Sequence, residues 1–344
     1  ITQARALSQS LNPDANPDDI ALVLALDEES GELMAYAGAY PSKINKTGLS
    51  RFAYNSCWWA EEGKGGEVAM NVFISFLKTW ENKVAFSDLT EKTYKIIRSL
   101  RFCHTMEREG LVIRIRPGFS DRLAALSYSK SKLKSIGKPI LLTGIPRLFD
   151  WLFEISWFPF IKVSGERYPS AKLVTLGYPD ENDFGFINVW GNDAIHIPFE
   201  QELKMPSWLV KPDSGNKYLG KKYFFSSYAI QFSTFWLRWE TEGQTRALAM
   251  LSLKEGILKT LYIFCDKKFQ THFPAEFISY CISNTAISSI ITANPLLVDY
   301  FSKRKPYSLS TRKFTRYSAV SNVLMNELDK NPVMQDGDGD YRFT

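Results

Sequence analysis

Residues 52–80 read FAYNSCWWAEEGKGGEVAMNVFISFLKTW and fall into three parts. Residues 52–59 are rich in aromatic side chains, which suits a strand. Residues 61–66 carry Gly63, Gly65 and Gly66, which relieve side-chain crowding in a tight turn. From there Val68, Phe73, Ile74, Phe76 and Leu77 place apolar groups largely on one side of a helix ending near Trp80. The free amides of such a helix N-terminus can hold a pyrophosphate. An ordinary strand–turn–helix that binds nothing has the same pattern, and the stretch alone does not separate the two.

Working outward, residues 20–26 (IALVLAL) read as a buried strand, 27–31 as a hairpin turn, 32–40 as the returning strand and 41–51 as a polar loop. Downstream, 83–87 is a short strand, Thr90 an N-cap, 91–100 a helix and 111–115 a strand before Pro117 and Gly118 break the chain. Residues 119–168 read as a connecting, helical segment whose Trp-bearing centre is too interrupted to span a membrane. The order then restarts. Strands are expected over 232–239, 245–253 and 257–264, a helix over 273–283, a strand over 287–292, a helix over 296–303 and a strand over 314–320. Hairpin, strand, helix, strand, helix, strand thus occurs twice, and two copies of one α/β unit account for 344 residues better than one fold.

Composition narrows the partners. Hydrophobic content of 45% and charged content of 23% are those of a soluble globular protein, and 14% aromatics predict large, rigid cores. A net charge of +5 suits an anionic cofactor but is too diffuse for a nucleic-acid groove. Cys57, Cys103, Cys265 and Cys281 lie in apolar stretches without CxxC spacing, so buried reduced thiols are expected, and Cys57 has no His at nucleophile-activating spacing. His104, His196 and His272 are scattered, and no metal site is expected. No apolar run is long enough to span a membrane and no secretory signal is visible, so the cytoplasm is the expected compartment. The chain begins at Ile1, which weakens the argument from a missing signal.

With the hairpin, the glycine-bearing turn and the second strand–helix pair in view, the first copy resembles the GNAT superfamily of acyl-CoA-dependent N-acyltransferases. The resemblance implies an α/β fold with a mixed α+β sheet, here as two tandem GNAT-like domains: residues 1–118, a helical linker over 119–168, and a degenerate copy over 169–344. Residues 1–19 leave little room for the family's first strand and helix, so copy one is expected to be truncated at its start. The family's Arg/Gln-x-x-Gly-x-Gly/Ala turn is matched by Lys64, Gly65, Gly66, Glu67, Val68 and Ala69, with Glu67 in place of the central glycine. A second register, residues 62–67, keeps the middle glycine and loses both ends. By resemblance these residues, with Trp58 and Trp59 on the preceding strand, bind acetyl-CoA or another acyl-CoA as co-substrate. The family's tyrosine acid falls at Ile97, and Tyr94, one helical turn earlier, could substitute only if the helix is rotated; it reads first as a packed helix aromatic.

Direct attack of an amine on a thioester needs a proton acceptor, and Glu61 and Glu62 just past the strand are the candidates, or else two loop glutamates. The second copy's loop, residues 265–272 (CDKKFQTH), has no glycine. Asp336, Asp338 and Asp340 near the C-terminus suggest calcium, but the EF-hand spacing and distal Glu are absent; a solvated or docked tail fits better. The acceptor is expected to be a small-molecule or peptide amine. Two other readings stay open: a GNAT-fold binding protein without catalysis, favoured by Glu67 and Ile97, and an aminoacyl or peptidyl transferase of the tandem-GNAT cell-wall type.

Overall fold

A computed structural model describes residues 12, 14–44, 51–63, 66–116, 152, 170–177, 179–190, 232–303, 310–328 and 334–339. The connecting segment expected over 119–168 lies outside them apart from Leu152, as do Lys64, Gly65 and Asp340. Two compact units result, and neither is one continuous stretch: Ile1–Arg108 with Gly177–Ala229 and Thr315–Thr344, and Glu109–Leu176 with Ile230–Phe314.

The first unit opens with β1 (Leu22–Leu26), β2 (Leu33–Lys43) and β3 (Arg51–Ala60), an antiparallel meander. Asp27 shapes the first turn by accepting from the Ser30 N–H at 2.9 Å, and Gly31 supplies the positive φ of +69°. Then come α1 (Gly66–Thr79), β4 (Val84–Leu89), α2 (Glu91–Leu100) and β5 (Cys103–Arg114). Thr90 caps α2 by accepting from the Thr93 N–H at 3.2 Å, and Arg101 ends it at φ 55°. Val72, Phe73 and Phe76 of α1, with Ile97 of α2, bury against Ala35, Ala37, Ala53, Val84, Phe86 and Ala319. Each large side chain so buried contributes about 1.5–3 kcal/mol.

The strand over residues 20–26 was expected to be buried; it is an edge. Val23 and Ala25 face the core, while Leu22, Leu24 and Leu26 point away, each about half exposed. Uniformly apolar composition hides that alternation.

The second unit holds β6 (Ala171–Leu176), β7 (Phe232–Thr241), β8 (Gln244–Lys254) and β9 (Ile257–Cys265), again antiparallel. They lead to α4 (Phe273–Ser283), β10 (Ser289–Thr292) and α5 (Pro295–Lys303). Between β6 and β7 the chain carries α3 (Glu181–Trp190), and it returns along β11 (Ser310–Ser321) to α6 (Asn322–Glu327). The core of this unit packs Leu237, Trp239, Phe273, Phe277 and Ile290.

Register shows the duplication more sharply than element order. In both copies one pair of strands is parallel, β3 with β4 and β9 with β10, pairing Tyr54 with Ala85 and Lys259 with Ile291. Two residues on, each has a β-bulge, leaving Ser56 and Leu261 without a partner on the preceding strand. At the strand ends, Glu61 and Asp266 each donate their N–H back across the meander, to Met34 O and Arg246 O, both at 2.9 Å. This is the element order expected from the sequence, twice.

The last strand of each copy is exchanged. β5 leaves the first copy to pair with β10 (Val112 with Ile291), and β11 returns from the second to pair with β4 (Val320 with Ala85). The exchange is pinned past each strand end. Arg116, after β5, donates to the carbonyls of Cys281, Ile282, Asn284 and Ile287, closing the C-terminus of α4 where the helix dipole is negative. Ser321, ending β11, accepts from the Val84 N–H at 3.2 Å.

Candidate functional site

The site is built where β3 and β4 part. They pair as parallel strands only through Ala53–Val84 and Tyr54–Ala85. The bulge at Ser56 adds local twist and bends β3 just beyond that point. Asn55 secures the bulge, its side-chain amide donating to Gly38 O at 3.2 Å and Cys57 O at 3.1 Å. Gly38 lies close under the bulge: a Cβ there would meet Cys57 Sγ at 2.6 Å and Ser56 Oγ at 2.7 Å, so a larger residue would have to turn both side chains aside. Past Tyr54 the two strands form a fork, with β3 still paired to β2 on its other edge.

α1 begins just after the fork. Trp58 joins the two, donating its Nε1–H to Ala69 O at 3.2 Å and stacking on Phe73 with ring centroids 4.7 Å apart. Gly66 and Glu67 form an exposed first turn, and nothing lies within 4 Å of the position a Cβ would take on Gly66. A helix of this length leaves about four N–H groups unsatisfied at its start, the donor set a pyrophosphate needs. An anionic cofactor fits this end of α1 in space and donors, while the Glu67 carboxylate counts against it in charge.

The structure gathers Trp58, Val68 and Ala69 at the start of α1, with Val68 half-buried against the core. Trp59 is 43% exposed on the opposite face of β3, stacked on Tyr36 at 5.6 Å. Glu61 is half-buried at the strand end and Glu62 is exposed in the turn. Tyr94 sits elsewhere, buried on α2 with its ring 4.6 Å from that of Tyr317 and its hydroxyl donating to Glu107 at 2.9 Å. Ile97 is fully buried among Phe73 and Phe86. The four cysteines are free thiols. Burial raises those of Cys103 and Cys281 well above the ordinary range, and burial with nearby Asp266 pushes Cys265 up to about 12, so all three are poor nucleophiles. Among the described residues no group of three His, Cys, Asp or Glu side chains is placed to hold a metal, and no helix is long and apolar enough to cross a membrane.

The equivalent place in the second copy is filled. Asp266, the counterpart of Glu61, accepts from the Lys268 N–H at 3.0 Å and pairs with Arg246 at 3.8 Å. The first turn of α4 is buried from Phe273 to Glu276 and includes Pro274, which has no N–H. An anion cannot reach those amides.

Sequence reading missed the bulge residues Asn55 and Ser56 and a polar group on the face away from α1: Arg108, Arg316 and Asp336. Asp336 is legible in the sequence as an acidic residue near the C-terminus; its partners are not, since Arg108 lies 228 positions away.

No protein-family model matches the chain, and no curated protein matches its sequence. Among solved structures it is similar to a conserved protein of Enterococcus faecalis V583 described as a probable N-acyltransferase, at 12% identity and TM-score 0.44, covering 87% of this chain and 62% of that one. The chain therefore spans about three-fifths of that protein's length. It is similar also to a tandem GNAT protein of the clavulanic acid biosynthesis pathway (9% identity, TM-score 0.43, 92% of each chain). A third is a GCN5-related N-acetyltransferase-like protein of Streptococcus suis 89/1591 (9%, TM-score 0.37, 88% of this chain and 89% of that). At these values the likenesses carry nothing about this chain's chemistry.

Proposed function

We propose that the chain is an acyl-CoA-dependent N-acyltransferase whose co-substrate binds in the first copy alone. One observation carries this: a parallel strand pair that parts at a bulge, followed by a glycine-bearing turn and a helix with an exposed, open first turn. The α1 amides would hold the pyrophosphate, with Lys64 and Gly65 just before them in sequence, and Trp58 would wall the start of the helix. Acyl-CoA supplies a thioester carbonyl. The amine acceptor meets it at the fork, and Glu61 at the end of β3, with Glu62 beside it, takes the ammonium proton directly or through water. Tyr94 would serve as the thiolate's proton donor only by giving up its bond to Glu107.

Calorimetric titration of acetyl-CoA and desulfo-CoA into the chain, repeated with Gly66→Asp, tests the proposal. Micromolar binding that weakens by about 10–100-fold in Gly66→Asp is expected, since a second carboxylate joins Glu67 in the first turn. No heat at millimolar ligand would leave the reading of a GNAT-fold binding protein, for which the buried Ile97 already speaks.

A further inference from the structure

β1 is the outermost described strand of the first unit: β2 pairs along one side and no described strand lies along the other. The Ala39 N–H donates to the Ala21 carbonyl at 2.8 Å, so bonding to β2 falls on the odd-numbered residues, and Leu22 and Leu24 turn their N–H and C=O groups to the open side. The strand, LVLAL, carries no charge and no proline, the usual guards of an open edge. Its outward side chains continue across the sheet. Leu24 is opposite Tyr36, which is opposite Trp59 and stacked on it, and Leu26 is opposite Leu33. Leu22, Leu24, Leu26, Leu33 and Trp59 are each between 41% and 56% exposed. Single exposed apolar groups are ordinary on a protein surface; a contiguous apolar area over three strands marks an interaction face.

Charge decides what covers it. The Glu61 N–H donates to the Met34 carbonyl at 2.9 Å, so Glu61 and Glu62 share one end of the sheet with Glu28, Glu29 and Glu32 of the β1–β2 turn. Residues 27–34 and 59–63 carry six acidic groups and no lysine or arginine. An anionic membrane surface or a nucleic acid is repelled there. A second copy is opposed as well. Paired parallel, it sets this end against itself; paired antiparallel, it sets it against the start of β1, where Asp18 is exposed and Arg51 and Lys43 already pair with Asp19 and Asp14. An extended polypeptide with apolar side chains at alternate positions and lysines at one end matches all three features: the open backbone groups, the leucine face and the acidic end.

We propose that the β1 edge and the face formed by Leu24, Tyr36 and Trp59 dock an extended basic polypeptide, and that the acceptor amine is a lysine of that polypeptide delivered to Glu61. The acceptor half rests on reading the fork as the acyl-transfer site; the docking half does not. Glu61 takes one proton from the lysine ammonium. The nitrogen then attacks the thioester carbonyl of acyl-CoA, the C–N bond forms as the C–S bond breaks, and the second nitrogen proton ends on the departing CoA thiolate.

The probe is a short fluorescein-labelled peptide of alternating leucine and threonine that ends in three lysines, read by anisotropy. Its binding should saturate, and the Leu22→Ser, Leu24→Ser double variant should weaken it by at least about tenfold. Glu28→Gln with Glu29→Gln should weaken it by at least about threefold and flatten its salt dependence. The same peptide ending in three glutamates should bind at least about tenfold more weakly than the lysine form. Leu24→Lys, which also opposes the lysines by charge, replaces the double variant if that does not fold. Binding that never saturates, or that neither variant weakens, overturns the docking. So does a parent chain that sediments as a dimer and becomes monomeric in the leucine variant, which would put a second copy on the face. With acetyl-CoA added, mass spectrometry should find an acetyl group on a peptide lysine with the parent chain and at least about tenfold less with the leucine variant. Docking without acetylation removes the acceptor half alone. Calorimetric binding of acetyl-CoA without docking keeps the transferase and removes this surface.

Discussion

Glu67 is the residue on which cofactor binding and helix stability pull in opposite directions. Its carboxylate stabilises the first turn of α1 through the helix dipole, a contribution of about 0.3–1 kcal/mol, and repels an anion bound there. Glu67→Gln should therefore lower the stability of the first unit slightly while tightening acetyl-CoA binding by a few-fold in calorimetry. Asp19 and Arg51 give a second test. Burial would raise the Asp19 carboxyl, but the Arg51 and Asn16 hydrogen bonds and the Arg51 charge outweigh it and hold the group below its ordinary value. Arg51 also lies over the Trp80 ring at 5.9 Å. A depressed carboxylate contributes stability that is complete above its unfolded pKa and is lost as pH falls through the folded one. Melting temperatures measured from pH 6 down to about pH 3 should fall more steeply for the parent chain than for Asp19→Asn, the difference opening below about pH 4.

The bulge and the caps carry the argument at the level of elements. Deleting Ser56 would restore a regular β2–β3 ladder in which Cys57 to Ala60 keep their partners and faces, and would remove the bend that parts β3 from β4. Trp58 would stay on the core face opposite Ala37, so far-ultraviolet circular dichroism should still report a folded chain, while acetyl-CoA binding should weaken by about tenfold or more as the fork closes. Arg116→Ala should cost the second unit about 2–4 kcal/mol, because it strips the C-terminal carbonyls of α4 of a buried donor; urea unfolding followed by tryptophan fluorescence reads it through Trp236 and Trp239. Elements were the most legible feature of the sequence. α2 is found from Thr90 and the apolar spacing of Tyr94 and Ile97, and α4 runs over the residues its pattern marks, since caps and periodicity are local signals. The bulge left no such mark, because one extra residue in a strand has no composition of its own. Tyr94 and Glu61 could be named as candidates, but not the contacts that hold Tyr94 to Tyr317 and Glu107.

Across the whole molecule, the two copies are legible from sequence and their exchanged strands are not. Pairing β4 with β11 depends on side chains far apart in the chain, which no local pattern encodes. A fragment of residues 1–118 should accordingly fail as an isolated domain. β4 would present an open edge where β11 belongs, and Ala319 would be missing from the core. Size-exclusion chromatography and circular dichroism of that fragment should show aggregation or an unfolded chain, and adding residues 310–339 as a peptide should rescue part of the fold. A monomeric, cooperatively melting fragment would refute this.

The exchange also has a consequence in time. The Val84 N–H waits for Ser321, 237 residues later, before its partner exists. At synthesis rates of about 5–20 residues per second the first copy spends roughly 10–50 s on the ribosome with β4 unpaired. Its apolar edge strand and half-built core are then exposed to every other nascent chain nearby. Production of this protein should respond to holdase chaperones and to lowered expression temperature far more than its finished stability would suggest.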